Sequence, residues 1–221
     1  DVTAIIHAAT LHTPHIVTHT KADFVRTNIT TTLHLLEAAV AHHIKTYLFT
    51  STTSTFGDAM VPAKGEPAVM VTEELAPRPK NIYGATKTAA EDVCQIFHRN
   101  YGIDCLILRT SRFFREEDDN PKLRGQYQDA NIKVNELLYR RADIEDIVDA
   151  HLRALNKAAE IGFNKFIISA TSPFKVEDLP QLNLDAGTVV EKYAPEFRSL
   201  FAKLDWQMFP KITRVYDNSK A

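Results

Sequence analysis

Short, unbroken apolar runs alternate along this chain with longer stretches in which apolar residues recur every three to four positions. The unbroken runs are Thr3-Ala4-Ile5-Ile6-His7-Ala8-Ala9, Thr46 to Thr50, Asp104-Cys105-Leu106-Ile107-Leu108-Arg109 and Phe163 to Ser169. Their shortness and continuity predict strands buried on both faces. Between them, Val25, Ile29, Leu33, Leu36, Ala39 and Val40 keep a helical period across 22–42. Ala89, Val93, Ile96 and Phe97 do the same across 84–100, and Ile144, Ile147, Val148, His151, Leu152 and Leu155 across 144–159. Each predicts a helix with one buried stripe, and Gly102 is placed to stop the second. Strand, helix, strand, helix, strand, helix, strand is the order of an α/β fold, a parallel sheet covered on both faces with right-handed crossovers. Residues 57–82 carry Pro62, Pro67, Pro77 and Pro79 and predict an irregular segment. Residues 112–142 are polar and charged, and the mixed tail from Ser172 predicts one further helix over 188–203.

Composition narrows the class. The 221 residues suffice for one large domain or a domain with a lobe, and 44 % apolar with 24 % charged residues is ordinary for a globular chain. A formal net charge of −2 gives no pull toward nucleic acid or an anionic membrane. No apolar run approaches the roughly 20 residues of a membrane span, and no signal-peptide pattern opens the chain. Cys94 and Cys105 predict free thiols in a reducing compartment, so a cytoplasmic location is expected. The seven glycines lie at 57, 65, 84, 102, 125, 162 and 187. That spacing excludes both G-x-G-x-x-G and the phosphate loop G-x-x-x-x-G-K-[ST]. The chain opens at Asp1, which favours a trimmed sequence.

The chemistry concentrates in Tyr83-Gly84-Ala85-Thr86-Lys87, with Thr50-Ser51-Thr52 upstream at the end of an apolar strand. If a helix begins near Tyr83, the phenol and the amine four residues on share a face. A free tyrosine is a poor base at neutral pH, and a nearby ammonium is expected to lower its pKa. Tyr83 would then move the proton of a substrate hydroxyl, Lys87 would bond a ribose beside a nicotinamide, and Thr52 would hold the same substrate hydroxyl. The pattern Y-x-x-x-K alone is weak; its order after a hydroxyl-ended strand and a proline-rich loop is what strengthens it.

Taken together, these stretches resemble the extended short-chain dehydrogenase/reductase superfamily, and in particular the NAD-dependent epimerase/dehydratase family. The similarity runs through Ile5-Ile6-His7-Ala8-Ala9, Asn28, Leu35-Leu36-Glu37-Ala38-Ala39, Tyr47 to Thr52 with Phe56-Gly57, and Tyr83 to Lys87 with Glu91. It continues through Leu108-Arg109 and Asp143 to Val148, and closes on Val215 to Ala221. The resemblance implies a Rossmann-type domain over 1–112 and 143–170, with a substrate lobe over 113–142 and 171–221. It implies Tyr83, Lys87 and Thr52 as catalytic residues. It implies NAD or NADP held by His7, Ala8, Ala9, Asn28, Thr50, Ser51, Tyr83, Lys87, Thr110 and Ser111. It also implies a homodimer through the helices at 20–43 and 84–100.

The departures from the family matter as much. Its opening strand, glycine-rich turn and the residues that choose NAD or NADP have no counterpart, which implies a loss of about 60 residues, two βαβ units. The family match also stops at Ala221, so the far end is expected to be trimmed too. Thr53 and Ser54 follow Thr52 where dehydratases carry an Asp-Glu pair, which argues against sugar dehydration. Arg112 stands where many nucleotide-sugar enzymes carry asparagine. Arg112, Arg115 and Arg124 are candidates for a substrate phosphate or carboxylate, with Arg140-Arg141 a weaker one. His12, His15 and His19 have metal-like spacing, but Pro14 interrupts them, so a solvated loop without metal is expected, with His12 placed to face a phosphate. The run Glu116 to Asp119 is likewise expected to be a solvated loop. Three readings stay open: an NAD(P)-dependent epimerase or oxidoreductase acting on a nucleotide sugar, an alcohol/carbonyl oxidoreductase on a non-sugar substrate, and a non-catalytic remnant.

Overall fold

The computed structural model describes residues 2–118 and 120–221; Asp1 and Asp119, the last residue of the acidic run, lie outside them. Strands β1 (Ala4–His7), β2 (Thr46–Thr52), β3 (Val69–Val71), β4 (Asp104–Thr110), β5 (Phe163–Ile168) and β6 (Arg214–Tyr216) are all paired in parallel. Four of them form the main sheet in the order β1-β2-β4-β5, and β3 pairs with β6 in a second, small sheet. The helices are α1 (Lys21–Phe24), α2 (Thr31–Ala41), α3 (Ile82–Tyr101), α4 (Pro121–Gln126), α5 (Asp129–Leu137), α6 (Ile144–Ile161), α7 (Leu179–Leu182), α8 (Ala186–Tyr193) and α9 (Phe197–Lys203).

Each face of the main sheet is dry. On one side Tyr47 and Phe49 of β2 and Cys105 and Ile107 of β4 meet Leu36 and Ala39 of α2 and Ala90, Cys94 and Phe97 of α3. On the other, Leu48, Leu106 and Leu108 meet Ile147, Ala154 and Ala158 of α6. The two-residue alternation of the strands divides these sets, which is why β2 and β4 read as unbroken apolar runs. Both cysteines are buried and free, and burial with the neighbouring Cys105 pushes the Cys94 thiol well up.

Several expected elements are redrawn. Helix 22–42 contains a π-helical stretch, Val25–Thr30, that carries Asn28 into the interior. The helix expected over 188–203 is two, α8 and α9, because Pro195 pushes Ala194 out of the helical region (φ −138°, ψ 77°). The polar stretch 112–142 holds α4, started by the Asn120 cap and Pro121, and α5. Within the irregular segment 57–82, β3 crosses to the second core, where Ala68 packs with Ile132, Tyr139, Phe174, Leu182, Val189, Phe197 and Ile212. Among the described residues, no helix is long and apolar enough to cross a membrane.

Two glycines bring the loop after β2 against α3. Gly57 has φ +50°, and a Cβ there would lie 2.1 Å from the Arg78 carbonyl oxygen. A Cβ on Gly84 would lie 2.6 Å from the Ser54 carbonyl oxygen, so the first turn of α3 sits directly on the turn that follows β2. Gly84→Ala is therefore expected to cost about 1–3 kcal/mol in urea unfolding, as backbone must move to admit the methyl group. A loss within about 0.5 kcal/mol, the usual surface effect, would show that the two turns are not tightly seated.

Candidate active site

The carboxyl end of β2 is gripped from both faces of the sheet. Thr50 Oγ1 lies 2.8 Å from His151 Nε2, and His151 Nδ1 lies 2.7 Å from the Ile147 carbonyl oxygen. A carbonyl only accepts, so Nδ1 carries the ring hydrogen and, in the neutral ring, Nε2 accepts from Thr50. On the opposite face Ser51 donates to Glu91 Oε1 at 2.6 Å. The carbonyls are held as well: Lys87 Nζ donates to Thr50 O at 2.7 Å and Thr110 Oγ1 to Ser51 O at 3.0 Å. Thr52 accepts from the Ser54 amide at 3.1 Å, and its side chain is the neighbour that favours ionisation of the Tyr83 phenol.

Glu91 lies on α3, one turn beyond Lys87, with no exposed surface. Besides Ser51 it takes Arg109 Nη2 at 2.7 Å and Lys165 Nζ at 3.1 Å. Burial pushes its carboxyl up, but the Arg109 hydrogen bonds and charge, with Lys165 and Ser51, more than offset this and hold it below the usual carboxylate range.

Tyr83 and Lys87 share the inner face of α3, whose start is fixed by Asn81 accepting from the Gly84 amide at 3.0 Å. Both are buried, at 3 % and 1 % exposure. Burial pushes the Tyr83 phenol up to about 12, against a smaller lowering by Thr52. Burial also pulls Lys87 down to about 7. The expected lowering of the phenol by Lys87 is thus not met in this structure. The amine is turned to the Thr50 carbonyl and lies 3.9 Å from the centroid of the Phe49 ring, so burial decides both values.

Beyond the ends of β2 and β4 opens a cavity of about 470 Å³. Its lining joins Tyr83 and the β2 end to Arg140 and Arg214 of the second core's side. Glu136, fully buried, pairs with Arg140, with Arg141 at 2.8 Å and with Arg112 at 3.9 Å, and Arg112 also faces Asp118 at 3.4 Å. The Nε atoms of Arg140 and Arg214 are buried without a hydrogen-bond partner. Among the described residues guanidinium groups outnumber carboxylates on this wall, which suits an anionic group.

The NAD dependent epimerase/dehydratase family model matches residues 1–168. The chain belongs to this family. A UDP-arabinose 4-epimerase of Arabidopsis thaliana is 32 % identical over 161 residues, covering 59 % of this chain and 36 % of the relative. A UDP-glucose 4-epimerase of Corynebacterium glutamicum is 33 % identical over 82 residues, covering 37 % of this chain and 23 % of the relative. The chain thus spans little more than a third of the first of these relatives. The fold is similar to that of a Campylobacter jejuni UDP-Glc/GlcNAc 4-epimerase, with TM-score 0.64 and 21 % identity over 99 % of this chain and 69 % of the other. It is also similar to a Bacillus cereus UDP-glucuronic acid 4-epimerase solved in complex with NAD, with TM-score 0.61 and 22 % identity over 100 % of this chain and 67 % of the other.

In this epimerase/dehydratase-family chain, the cavity brings together Ala8, Thr50, Ser51, Thr52, Tyr83, Thr110, Ser111 and Arg112 of the expected residues. Lys87 lies just beneath it, under Thr50. His7 is turned away, its Nδ1 2.7 Å from the Tyr47 hydroxyl, and burial with repulsion from Lys87 pulls it down to about 4. Ala9 is exposed outside the lining. Asn28 acts from behind, accepting from the Leu11 amide at 2.8 Å and donating to Leu11 O and to Thr86 Oγ1, each at 3.0 Å. Arg115 is exposed, and Arg124 makes only an exposed 3.8 Å pair with Glu117. Among the described residues, no group of three or more His, Cys, Asp or Glu is arranged to hold a metal ion. Sequence reasoning missed Arg214, Phe114 and Tyr216 as lining residues; no motif marks them, because the return of the tail as β6 is what delivers Arg214 and Tyr216.

Two substitutions test the buried charges. Glu91→Ala leaves Arg109 and Lys165 without their carboxylate and is expected to cost about 3–5 kcal/mol in denaturant unfolding; a loss below about 1 kcal/mol would contradict the pairing. Its stabilisation is present above the ordinary carboxylate pKa and is lost as pH falls through the lower folded value. Lys87, with its folded value lowered from 10.5 to about 7, works the other way: the unfolded state binds its proton more readily, so stability from this group rises with pH between those values. Lys87→Met is expected to lack that rise, so the difference between the two proteins' stability–pH curves changes between those values; parallel curves would contradict it.

Proposed function

We propose that the protein to which this chain belongs is an NAD(P)-dependent epimerase or oxidoreductase acting at a hydroxyl- or carbonyl-bearing carbon of a nucleotide sugar. The observation that carries the reading is the Tyr83 phenol, which lines one cavity with Thr52 at the end of β2 and with the Arg140–Arg214 wall. Family membership and the UDP-sugar 4-epimerase relatives support the substrate class.

The residues present suit the nicotinamide–ribose end of such a cofactor. Ser111 Oγ is buried without a hydrogen-bond partner and lines the cavity beside Thr110, across from Thr50 and Ser51. The chain's own glycines form no turn for the pyrophosphate. When bound, a nicotinamide supplies the hydride acceptor and donor at the reacting carbon and, in its oxidised form, a positive charge beside the phenol. That charge would act against the burial that raises Tyr83. Tyr83 takes the proton from the substrate hydroxyl and returns it, while Thr52 donates to the same oxygen and fixes its position. Lys87, pinned on the Thr50 carbonyl, stands beneath the ribose. Arg140 and Arg214 offer their unpartnered Nε–H groups to the diphosphate.

Arg112, in the position where many nucleotide-sugar enzymes carry asparagine, favours one other substrate: a smaller anionic alcohol or ketone turned over by the same residues. Incubation of the full protein with UDP-arabinose or UDP-galactose and NAD separates the two. Epimerisation produces the 4-epimer with no net change in cofactor, whereas oxidation or reduction changes it stoichiometrically. Tyr83→Phe is expected to lower either rate by roughly 100- to 10,000-fold with nucleotide binding retained. Full activity in that variant would remove Tyr83 from the mechanism.

A further inference from the structure

We propose that His12 is the residue through which the buried Tyr83 phenol exchanges its proton with solvent. This rests on the acid/base reading of Tyr83, but its test does not require turnover. A phenol that takes and returns protons must be able to reset its protonation state, and Tyr83 is only 3 % exposed. Its surroundings offer few routes. The Lys87 amine donates to the Thr50 carbonyl at 2.7 Å and is not among the groups that shift the Tyr83 phenol. Among the described residues no aspartate or glutamate lines the cavity, and its arginines do not release protons at any ordinary pH. Thr52 is a neutral hydroxyl with no charge state to exchange.

His12 is in the cavity lining and half-buried, so it faces both the interior and water. Its ring centroid lies 4.7 Å from that of Tyr83 and 5.2 Å from that of Phe114, both edge-on. The imidazole and the phenol ring are thus in direct edge contact on the cavity wall. Its placement is built into the fold. Asn28 clasps both the amide and the carbonyl of the preceding Leu11, and His15 Nδ1 accepts from the His12 amide at 2.8 Å. His15 and His19 take other tasks, His19 Nδ1 lying 2.9 Å from the Thr18 hydroxyl.

The chemistry is a two-step relay. The phenol O–H bond breaks as its proton passes to an imidazole nitrogen, leaving phenolate and imidazolium; the imidazolium then gives its proton to water. Protonation of the phenolate runs the same steps in reverse. Histidine suits this because its ordinary pKa, near 6.5, lets it both hold and release a proton close to neutrality. A phenol held up at about 12 gives its proton to bare water far less readily.

The test reads the hydroxyl proton itself. In protein carrying ¹³C at tyrosine Cζ, dissolved in equal parts of H₂O and D₂O, slow hydroxyl exchange splits each tyrosine signal and fast exchange merges it. The Tyr83 signal is assigned by its absence in Tyr83→Phe. Wild type is expected to show a merged Tyr83 signal. His12→Ala is expected to show a split one, with exchange slower by about tenfold or more, and added imidazole is expected to merge it again. Tyr47, fully buried and bonded to His7, reports whether the fold is unchanged. His12→Gln keeps a side chain of similar bulk without a basic nitrogen and is expected to behave as His12→Ala. Unchanged Tyr83 exchange in both variants, or a slowing that imidazole does not reverse, would overturn the proposal. An active Tyr83→Phe enzyme would instead refute the acid/base role while leaving this readout intact.

Discussion

Glu91 sits inside α3 with no access to water, bonded to Ser51 on β2 and paired with Arg109 on β4 and Lys165 on β5. A carboxylate this deep is tolerated only because its charge and its lone pairs are all answered, and removing either partner leaves a buried charge behind. It ties together three adjacent strands of the main sheet and the helix that carries Tyr83 and Lys87. Position along the helix does the rest: the phenol lies two turns before the anchor, over the end of β2. The candidate proton-transfer residues therefore sit on elements whose relative placement is set below the cavity, where solvent cannot compete.

The cavity itself lies on a seam. One wall is the β2 end and the first turn of α3, backed by the dry sheet core. The other is the Arg112–Arg140–Glu136 cluster with Arg214, backed by the core around Ile132, Tyr139 and Ile212. A reacting hydroxyl and an anionic handle would thus be held by separate packing units that meet through parallel β3 and β6.

How much of this is legible in the sequence depends on whether neighbours in the chain are neighbours in space. The main sheet and its three long helices follow from local periodicity, since every return from helix to strand is short and each apolar stripe answers the next. The candidate proton-transfer residues belong to an ordered motif, and β2 and α3 pack together so that their hydroxyl, phenol and amine fall at fixed helical and strand positions. The second core does not follow. Its residues come from 68–70, 123–139 and 174–215, and only the return of the tail beside Val69–Val71 brings them together. Arg214 is invisible for that reason, and Arg115 and Arg124 are exposed outside the cavity lining. His7 misleads in another way: the strand end places it at the cavity's edge, but Tyr47 offers its Nδ1 a buried partner and turns it inward. The Tyr83 phenol shows the limit of spacing arguments. Four residues put Lys87 on the same face, yet the amine's best acceptor is a carbonyl of β2.

The claim most central to this account is that Glu91 couples α3 to the end of β2 through Ser51. A double-mutant cycle of Ser51→Ala and Glu91→Gln, read by urea unfolding of all four proteins, tests it directly. The account predicts that the two changes are not additive, with a coupling of about 1–2 kcal/mol, as for a buried hydrogen bond to a charged group. Additivity within about 0.5 kcal/mol would mean that Ser51 and Glu91 are stabilised independently, and that the strand end carrying Thr52 is held by something else.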